Sequence, residues 1–281
     1  MTATNSTAYS RDLGDELRRL RQRFTGLRGR AMAHQLGWDP SKVSNLEHGK
    51  IKGSDLDLAQ YLTACGKDLD YFEDFTTRYQ TAFAPYLAQA PDNVHTLTMT
   101  ESTATTIRAY DVLTVNPLLR TPAYAQALEA TTGRPPGDTD RQAVLRRPNG
   151  PKCVFYLHEL ALRLHIGNAQ VMADQHRWLL ANSAMLRIVP VEATTAAFQS
   201  ACTLFEFDKA PPLVHWESDV ARVFAQGTAA VDHAHKLFEL LDSVALDHDQ
   251  TKHQLGRGWP REVKAEVGAE AGALAVGTAR D

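Results

Sequence analysis

"LGWDPSKVSNLEHGK", residues 36–50, places a proline at the start of what is otherwise a short helical segment. Asp39 is a favourable N-cap, so Pro40 falls at the first helical position, where its missing N–H and fixed φ are tolerated. Gly49 can close the helix, because glycine readily adopts the left-handed conformation that often follows a helix. The pattern therefore predicts a helix of about nine residues, which is too short to be stable alone in water.

The two faces of this short helix differ in chemistry. Val43 and Leu46 are spaced to face inward together, so their packing on neighbouring helices must hold the segment in place. No acidic side chain lies between Pro40 and Leu46, so nothing on the outward face repels phosphate. The outward positions carry small polar or basic side chains, namely Ser41, Lys42, Ser44, Asn45 and His48.

Helical periodicity continues on both sides of this segment. A first apolar stripe consists of Leu13, Leu17, Leu20 and Phe24. A second stripe runs from Leu27 to Leu36 and ends at Gly37, where a positive φ can stop a helix. Further helices are predicted over residues 54–65, with Leu56 among the apolar residues expected to be buried, and from about Asp68 onward. Residues 10–80 are therefore predicted to form an all-α domain of five helices.

Charge is unevenly distributed along the chain. The net charge of the whole chain is −3, but residues 10–53 hold ten Lys or Arg against five Asp or Glu. Residues 54–85 reverse this balance, with two basic and six acidic residues. A basic segment on an otherwise acidic chain favours contact with a polyanion, although a solvated arginine-rich helix face has the same composition.

Composition excludes several other classes of protein. The three cysteines, Cys65, Cys153 and Cys202, lack the close pairs of a disulfide framework or a zinc site, which fits a reducing, cytoplasmic setting. No succession of basic, apolar and small residues opens the sequence and no apolar run reaches membrane-spanning length, so we expect neither secretion nor membrane insertion. His158 and His165 do not match His-Glu-x-x-His, and no phosphate-loop or dinucleotide motif occurs. We therefore expect no catalytic residue, metal or cofactor, and a protein that is not an enzyme.

Two motifs carry a resemblance to a known domain. They are Ala33-x-x-Leu36-Gly37 and Ser41-x-Val43-Ser44-x-Leu46-Glu47-x-Gly49-Lys50. Their spacing resembles that of the lambda-repressor-like (XRE) helix-turn-helix domain, which implies that the third helix enters the major groove of DNA. The loop before Leu27 is about one residue longer than is usual, which leaves open which arginine of the first helix pairs with Glu47.

The resemblance implies a set of DNA contacts. Ser41, Lys42 and Asn45 would read bases, since Lys42 suits guanine and Asn45 suits adenine. Ser44 would be either buried or bound to phosphate. Phosphate contacts are expected from Arg28, Arg30, Ser44 and Lys50. One domain of this kind offers few base contacts, so we expect a homodimer on an inverted-repeat operator in double-stranded DNA.

The rest of the chain predicts an α+β domain with a small, mainly antiparallel sheet. About four strands are expected, in residues 152–158 and in the stretches "MLRIVPV", "ACTLFEFD" and "PLVHWES". Ile107 and Tyr110 are spaced to share one side of a helix. The predicted organisation is a disordered arm (1–9), the helix-turn-helix domain (10–80), a linker (81–100), the α+β domain (101–250) and a flexible tail (251–281).

The second domain carries a further resemblance. Its motifs include Glu101-x-x-Ala104-x-x-Ile107-Arg108-x-Tyr110, Glu159-x-Ala161-Leu162-Arg163 and Ile188-Val189-Pro190. They resemble the uncharacterised C-terminal domain of actinobacterial WhiJ-like, antitoxin-type transcriptional regulators. The resemblance implies a repressor whose second domain binds a small protein encoded by a neighbouring gene.

Sequence alone favours a dimeric, DNA-binding transcriptional regulator in the cytoplasm, associated with the nucleoid when bound. One alternative is a protein-interaction module that neutralises a small toxin-like partner and binds DNA only for autoregulation. Another is a regulator that senses a small ligand, because the aromatic residues of the second domain could form its core or line a pocket. Those residues are Phe155, Tyr156, Trp178, Phe205, Phe207 and Trp216.

Overall fold

The computed structural model describes residues 6–90, 93–133, 139–218 and 220–257. Five helices come first and form an all-α bundle. A mixed sheet with flanking helices follows. The helices of the bundle are α1 (Ala8–Phe24), α2 (Gly29–Leu36), α3 (Pro40–Glu47), α4 (Asp55–Ala64) and α5 (Leu69–Gln80).

Local signals set the ends of these helices. The Asp39 side chain accepts a hydrogen bond from the Ser41 N–H at 2.7 Å, and Pro40 is the first residue of α3, as predicted. Gly37 and Gly49 adopt φ values of 67° and 61° after α2 and α3, which confirms both glycines as helix stops. Ser54 and Asp68 cap α4 and α5 in the same way as Asp39 caps α3.

The bundle core contains most of the apolar residues that the helical spacing selects. Phe24 and Leu56 do not belong to it, because they are 51% and 67% exposed. Phe24 is the last residue of α1 and lies beyond the core, where the Lys67 ammonium is 3.8 Å from its ring centroid. The largest buried side chains are Leu13, Leu17, Met32, Val43, Leu46, Leu58, Tyr61, Leu62, Phe75 and Tyr79.

The second part of the chain is an α+β fold. Its strands are β1 (Tyr86–Gln89), β2 (Thr106–Asp111), β3 (Lys152–His158), β4 (Leu186–Val189), β5 (Cys202–Glu206), β6 (Leu213–Glu217) and β7 (Arg222–Ala225). Its α-helices are α6 (His95–Thr103), α7 (Pro122–Thr132), α8 (Glu159–Arg163), α9 (Ala169–Ala181), α10 (Thr194–Ala197), α11 (Thr228–Val244) and α12 (His248–Gly256).

The seven strands form one sheet in the order β1-β7-β6-β5-β2-β3-β4. The pairs β2–β3 and β3–β4 are parallel, whereas the other four pairs are antiparallel. The sheet is therefore mixed and mostly antiparallel, in agreement with the predicted fold class. Both of its faces are covered, since Ile107 and Phe155 belong to one core and Tyr110 and Phe238 belong to another.

Several parts of the sequence-based organisation are wrong. The expected linker, residues 81–100, contains strand β1 at the sheet edge and the start of helix α6. Residues 106–111 form β2 rather than a helix, and the sheet has seven strands in the described part of the chain rather than about four. Ile107 and Tyr110 consequently point to opposite faces of the sheet.

The first helix is attached to the second domain. Residues 1–5 lie outside the described residues, but Thr7 caps α1 and Ala8 is buried in the core of the second domain, so the expected disordered arm does not extend to residue 9. The Ala8 N–H donates to Gln226 Oε1 at 2.5 Å, and Thr96 Oγ1 donates to Asp12 Oδ2 at 2.6 Å. Neither domain is therefore complete without its contacts to the other.

Part of the expected tail is also folded. Residues 248–256 form α12, in which Thr251 and Leu255 are buried. Thr251 Oγ1 accepts a hydrogen bond from the Ile188 N–H at 3.2 Å, which ties the helix to β4. Residues 258–281 of the expected tail lie outside the described residues. No helix within the described ranges is both long and apolar enough to cross a membrane.

Candidate DNA-binding site

Helix α3 presents its N-terminal half to solvent. Ser41 is exposed and Asn45 is partly exposed, whereas Val43 and Leu46 are each 1% exposed on the opposite side. Hydrogen bonds from Ser41 hold the pKa of the Asp39 carboxyl below its usual value, so this cap is ionised at neutral pH. The polar and apolar faces inferred from the spacing are therefore present in the folded helix.

A buried ion pair fixes the other end of α3. Arg21 Nε and NH2 donate to the two carboxylate oxygens of Glu47, each at 2.7 Å, and both side chains are almost fully buried. Tyr61 donates its hydroxyl proton to Glu47 Oε1 at 2.6 Å. Arg21 NH1 also donates to the Leu27 carbonyl at 2.5 Å, in the loop that is longer than usual. Arg21 is thus the arginine of the first helix that pairs with Glu47.

Helices α1 and α3 come into backbone contact. A Cβ atom added at Gly49 would lie 2.2 Å from the Ser10 carbonyl oxygen, and one added at Gly14 would lie 2.6 Å from the Glu47 carbonyl oxygen. Ser10 Oγ donates to the Gly49 carbonyl at 2.8 Å across the same contact. Only glycine permits this approach, so the position of α3 relative to α1 is set to within a fraction of an ångström.

Lys42 is engaged in contacts that the sequence did not suggest. Its Nζ lies 2.6 Å from Asp57 Oδ1 on α4 and 4.2 Å from the centroid of the Trp38 ring. Hydrogen bonds from Lys42 and Ser54 lower the pKa of Asp57 in spite of partial burial, so Asp57 is ionised beside Lys42. Asp57 and Trp38 are the two residues near the predicted base-reading set that sequence reasoning missed.

The residues assigned to phosphate contacts are all exposed. Arg28 is the N-cap of α2, Arg30 lies in its first turn, and Lys50 follows the end of α3. None of these three cations forms a salt bridge with another described residue. Ser44 is exposed as well, which excludes the alternative that its side chain is buried. Its hydroxyl lies 3.5 Å from His48 Nδ1.

Some basic side chains of α1 and α5 pair with carboxylates of α1. Arg18 and Arg19 share Asp15, and Arg78 of α5 pairs with Glu16 at 2.8 Å. The exposed cations at the start of α2 and just after α3 have no such acidic partner among the described residues, so their charge is available to a polyanion. In the described part of the chain, no group of three or more His, Cys, Asp or Glu side chains is placed to hold a metal ion.

Two family models match the chain. A helix-turn-helix domain matches residues 12–73, which include most of α1, all of α2 to α4 and the first part of α5. A domain of unknown function, DUF5753, matches residues 94–257, which is more than half of the chain. Searches of curated proteins and of solved structures returned no match. The chain therefore belongs to the DUF5753 family, and it carries a helix-turn-helix domain, which indicates a DNA-binding regulator, ahead of the domain that defines this family.

Proposed function

We propose that this protein is a sequence-specific regulator of transcription that inserts helix α3 into the major groove of double-stranded DNA. One observation carries the proposal. The polar face of α3 is open to solvent while the Arg21–Glu47 ion pair and the α1 backbone hold its opposite side. A helix held in this way can meet base edges without rearranging the bundle. Selection of DNA fragments from a random library by the purified full-length protein would test the proposal, and recovery of no common sequence would refute it.

Each predicted contact residue has a distinct role. Ser41, Lys42 and Asn45 read bases from the N-terminal half of α3, while Arg28, Arg30, Ser44 and Lys50 bind phosphate. Asn45 suits the N6 and N7 edge of adenine, and Lys42 suits the O6 and N7 edge of guanine. To reach a base, the Lys42 ammonium must leave Asp57, so its contribution to affinity is reduced by the pair that it breaks.

Replacing Asn45 with alanine should relax sequence choice at one operator base. The variant loses a two-point hydrogen bond to an adenine edge, so we expect binding to the selected operator to weaken by about 1–3 kcal/mol. Binding to random duplex should stay the same, because Asn45 contributes nothing to phosphate contacts. Fluorescence anisotropy with operator and random duplexes measures both affinities.

The matched variant Arg28→Ala should act differently. It should weaken binding to every duplex alike and reduce the slope of log affinity against log salt by roughly 0.9, the value for one phosphate contact. If Asn45→Ala and Arg28→Ala change operator and random binding in the same proportion, α3 is not the base-reading helix.

Replacing Asp57 with asparagine should strengthen binding to DNA. The change removes a negative charge from the Lys42 ammonium and keeps the shape of the side chain, so Lys42 is released toward DNA. We expect affinity for operator to rise by about threefold to tenfold at low salt, with a smaller gain at high salt because of screening. Asp55→Asn, an exposed change in the same turn of α4, is the control and should have a smaller effect. Equal or weaker binding by Asp57→Asn would contradict the assignment of Lys42.

The protein should bind its operator as a homodimer. One α3 helix offers three base-reading side chains, which is too few for a useful operator, so two copies on half-sites about one helical turn apart are proposed. Analytical ultracentrifugation of the free protein and of its complex with a selected operator gives the number of chains. A single chain on a non-repeated site would refute the dimer. Repression is the proposed outcome, by resemblance to the WhiJ-like regulators, and such a protein would act in the cytoplasm on the nucleoid.

A second function is the binding of a small partner protein by the second domain. Among the exposed large apolar side chains of this domain, Phe198 after α10 and Val220 between β6 and β7 are the most exposed, at 89% and 83%. A partner protein that covered them would remove their apolar surface from water. If the protein is mainly an antitoxin-type module, Asn45→Ala should still neutralise the partner, and Phe198→Ser should not. Truncation of residues 1–80 is unsuitable as a test, because it removes Ala8 from the core of the second domain.

A further inference from the structure

The second domain contains a polar cavity of about 150 Å³, on the sheet face that packs against helix α6. Its floor comes from neighbouring strands, where Thr203 of β5 is in register with His215 of β6, and Asp111 ends β2. Arg120 and Arg141 line it from the segments that cover the sheet. It therefore combines cationic and acidic groups in one small cavity, remote in sequence from the residues proposed to bind DNA.

One of its wall groups lacks a partner. His215 is 7% exposed and lines the cavity, yet its Nε2 atom has no hydrogen-bond partner among the described residues. Burial, together with the nearby positive charges of Arg141 and Arg222, lowers the pKa of His215 to about 3. The imidazole is thus neutral at physiological pH and can donate one hydrogen bond from Nε2. Buried polar groups in native proteins are almost always hydrogen-bonded, and Nε2 is available to a molecule bound in this cavity.

The cationic groups of the cavity are held in fixed orientations. Arg120 Nε donates to the Val115 carbonyl at 2.7 Å, and Arg141 donates to both carboxylate oxygens of Glu101, at 2.5 and 2.8 Å. Burial lowers the pKa of Arg120, because the neighbouring groups only partly replace the solvation that its charged guanidinium loses. An anionic oxygen close to Arg120 and His215 would be stabilised by both groups.

An acidic group, Asp111, lines the same cavity. Asp111 accepts a hydrogen bond from Asn116 Nδ2 at 2.8 Å, and burial raises the pKa of its carboxyl to about 6. This carboxylate is short of hydrogen-bond donors, so an ammonium or hydroxyl group placed next to it would be favoured. A ligand that meets both Arg120 and Asp111 must carry an anion and a hydrogen-bond donor within a few ångströms of each other, because these two groups are electrostatic neighbours.

We propose that this cavity binds a compact carboxylate metabolite bearing an amine or hydroxyl group, with the carboxylate toward Arg120 and His215 and the donor toward Asp111. A 150 Å³ cavity accommodates a molecule of about the size of benzene, which corresponds to a small amino acid or hydroxy acid. The proposal goes beyond DNA binding, since it gives the second domain a ligand of its own. It stands whether or not α3 reads DNA.

Isothermal titration of the full-length protein in the absence of DNA tests this proposal. The probes are L-serine, L-alanine, glycolate and L-lactate, with propionate and ethanolamine as compounds that lack the donor or the carboxylate. At least one of the first four should bind, and propionate and ethanolamine should bind at least about tenfold more weakly, because propionate lacks the donor for Asp111 and ethanolamine lacks the carboxylate for Arg120 and His215. Binding by amino acids alone, or by hydroxy acids alone, identifies the donor. If none of the first four binds, the proposal is overturned.

Variants locate the binding site. His215→Phe removes Nε2 and keeps a ring against Phe224, whose centroid lies 5.0 Å away, and Asp111→Asn removes the acidic charge. Each should weaken the best probe by about tenfold or more. The exposed changes His233→Phe and Asp232→Asn are matched controls and should bind like the parent. Thr203→Val provides a second wall variant if His215→Phe does not fold. Parent-like binding by the folded wall variants would overturn the proposal.

Discussion

Replacing Glu47 with alanine should lower the free energy of unfolding of the helix-turn-helix bundle by about 3–5 kcal/mol. The change leaves the Arg21 guanidinium buried without its carboxylate, and it also removes the acceptor of the Tyr61 hydroxyl. An uncompensated buried charge is far more costly than the loss of an exposed pair. The measurement is urea denaturation followed by circular dichroism, together with hydrogen exchange of the α1 and α3 amides.

The control for Glu47→Ala is Asp15→Ala on α1. Asp15 pairs with Arg18 and Arg19, two arginines whose side chains are about half exposed, so its loss should change stability by no more than about 1 kcal/mol. A Glu47→Ala variant that is no less stable than Asp15→Ala would show that the ion pair does not hold α3. Since DNA binding requires α3 in place, the variant should also lose operator binding at temperatures at which the parent retains it.

Replacing Gly49 with alanine should destabilise the protein by at least about 2 kcal/mol. Two effects combine at this position. The φ of 61° is unfavourable for alanine, at about 1–2 kcal/mol, and the new Cβ would lie 2.2 Å from the Ser10 carbonyl oxygen. Relief of that clash must move α1 and α3 apart, which adds a packing cost of about 1–3 kcal/mol. Thermal unfolding measured by differential scanning calorimetry gives the change.

Gly66→Ala separates these two effects. Gly66 has a φ of 71°, but nothing lies within 4 Å of an added Cβ, so its substitution reports the backbone strain alone. The difference between Gly49→Ala and Gly66→Ala therefore measures the close contact of α1 with the end of α3. Equal destabilisation by the two substitutions would mean that the contact contributes nothing.

The bundle was predictable because its signals are local. Asp39, Pro40 and Gly49 mark the ends of α3 through their own backbone preferences, and Val43 and Leu46 mark its buried side. These preferences act over a few residues and do not depend on the rest of the chain. The same reasoning failed for the apolar residues at helix ends and outer faces, such as Phe24, because spacing does not reveal where the neighbouring helices stop.

The sheet was less predictable. Strand β2 is buried on both faces, so Ile107 and Tyr110 show no alternation of apolar and polar residues, and their spacing of three imitates a helix. Strand β1 is a four-residue edge strand between prolines, and only its pairing with β7 reveals it. Such pairing joins residues more than 130 positions apart in the chain and cannot be inferred from local composition.

Within the candidate site, the residue types could be predicted but their partners could not. The solvent-exposed face of α3 could be predicted from the helical spacing of its apolar residues. The pairing of Arg21 with Glu47 required the path of the loop before Leu27, and the contact of Lys42 with Asp57 depends on how α4 crosses α3. The predicted roles of the contact residues remain predictions until DNA binding is measured.

The attachment of α1 to the second domain limits how an occupied effector site could control transcription. A DNA-binding domain joined by a flexible linker could move freely relative to the rest of the chain and reach either half-site of an operator. Here the same helix that supports α3 begins inside the neighbouring hydrophobic core, through Ala8, and is hydrogen-bonded to Gln226 beyond β7. In the proposed homodimer, a switch would consequently have to alter the distance and angle between whole subunits, and the preferred length of the operator spacer would report its state.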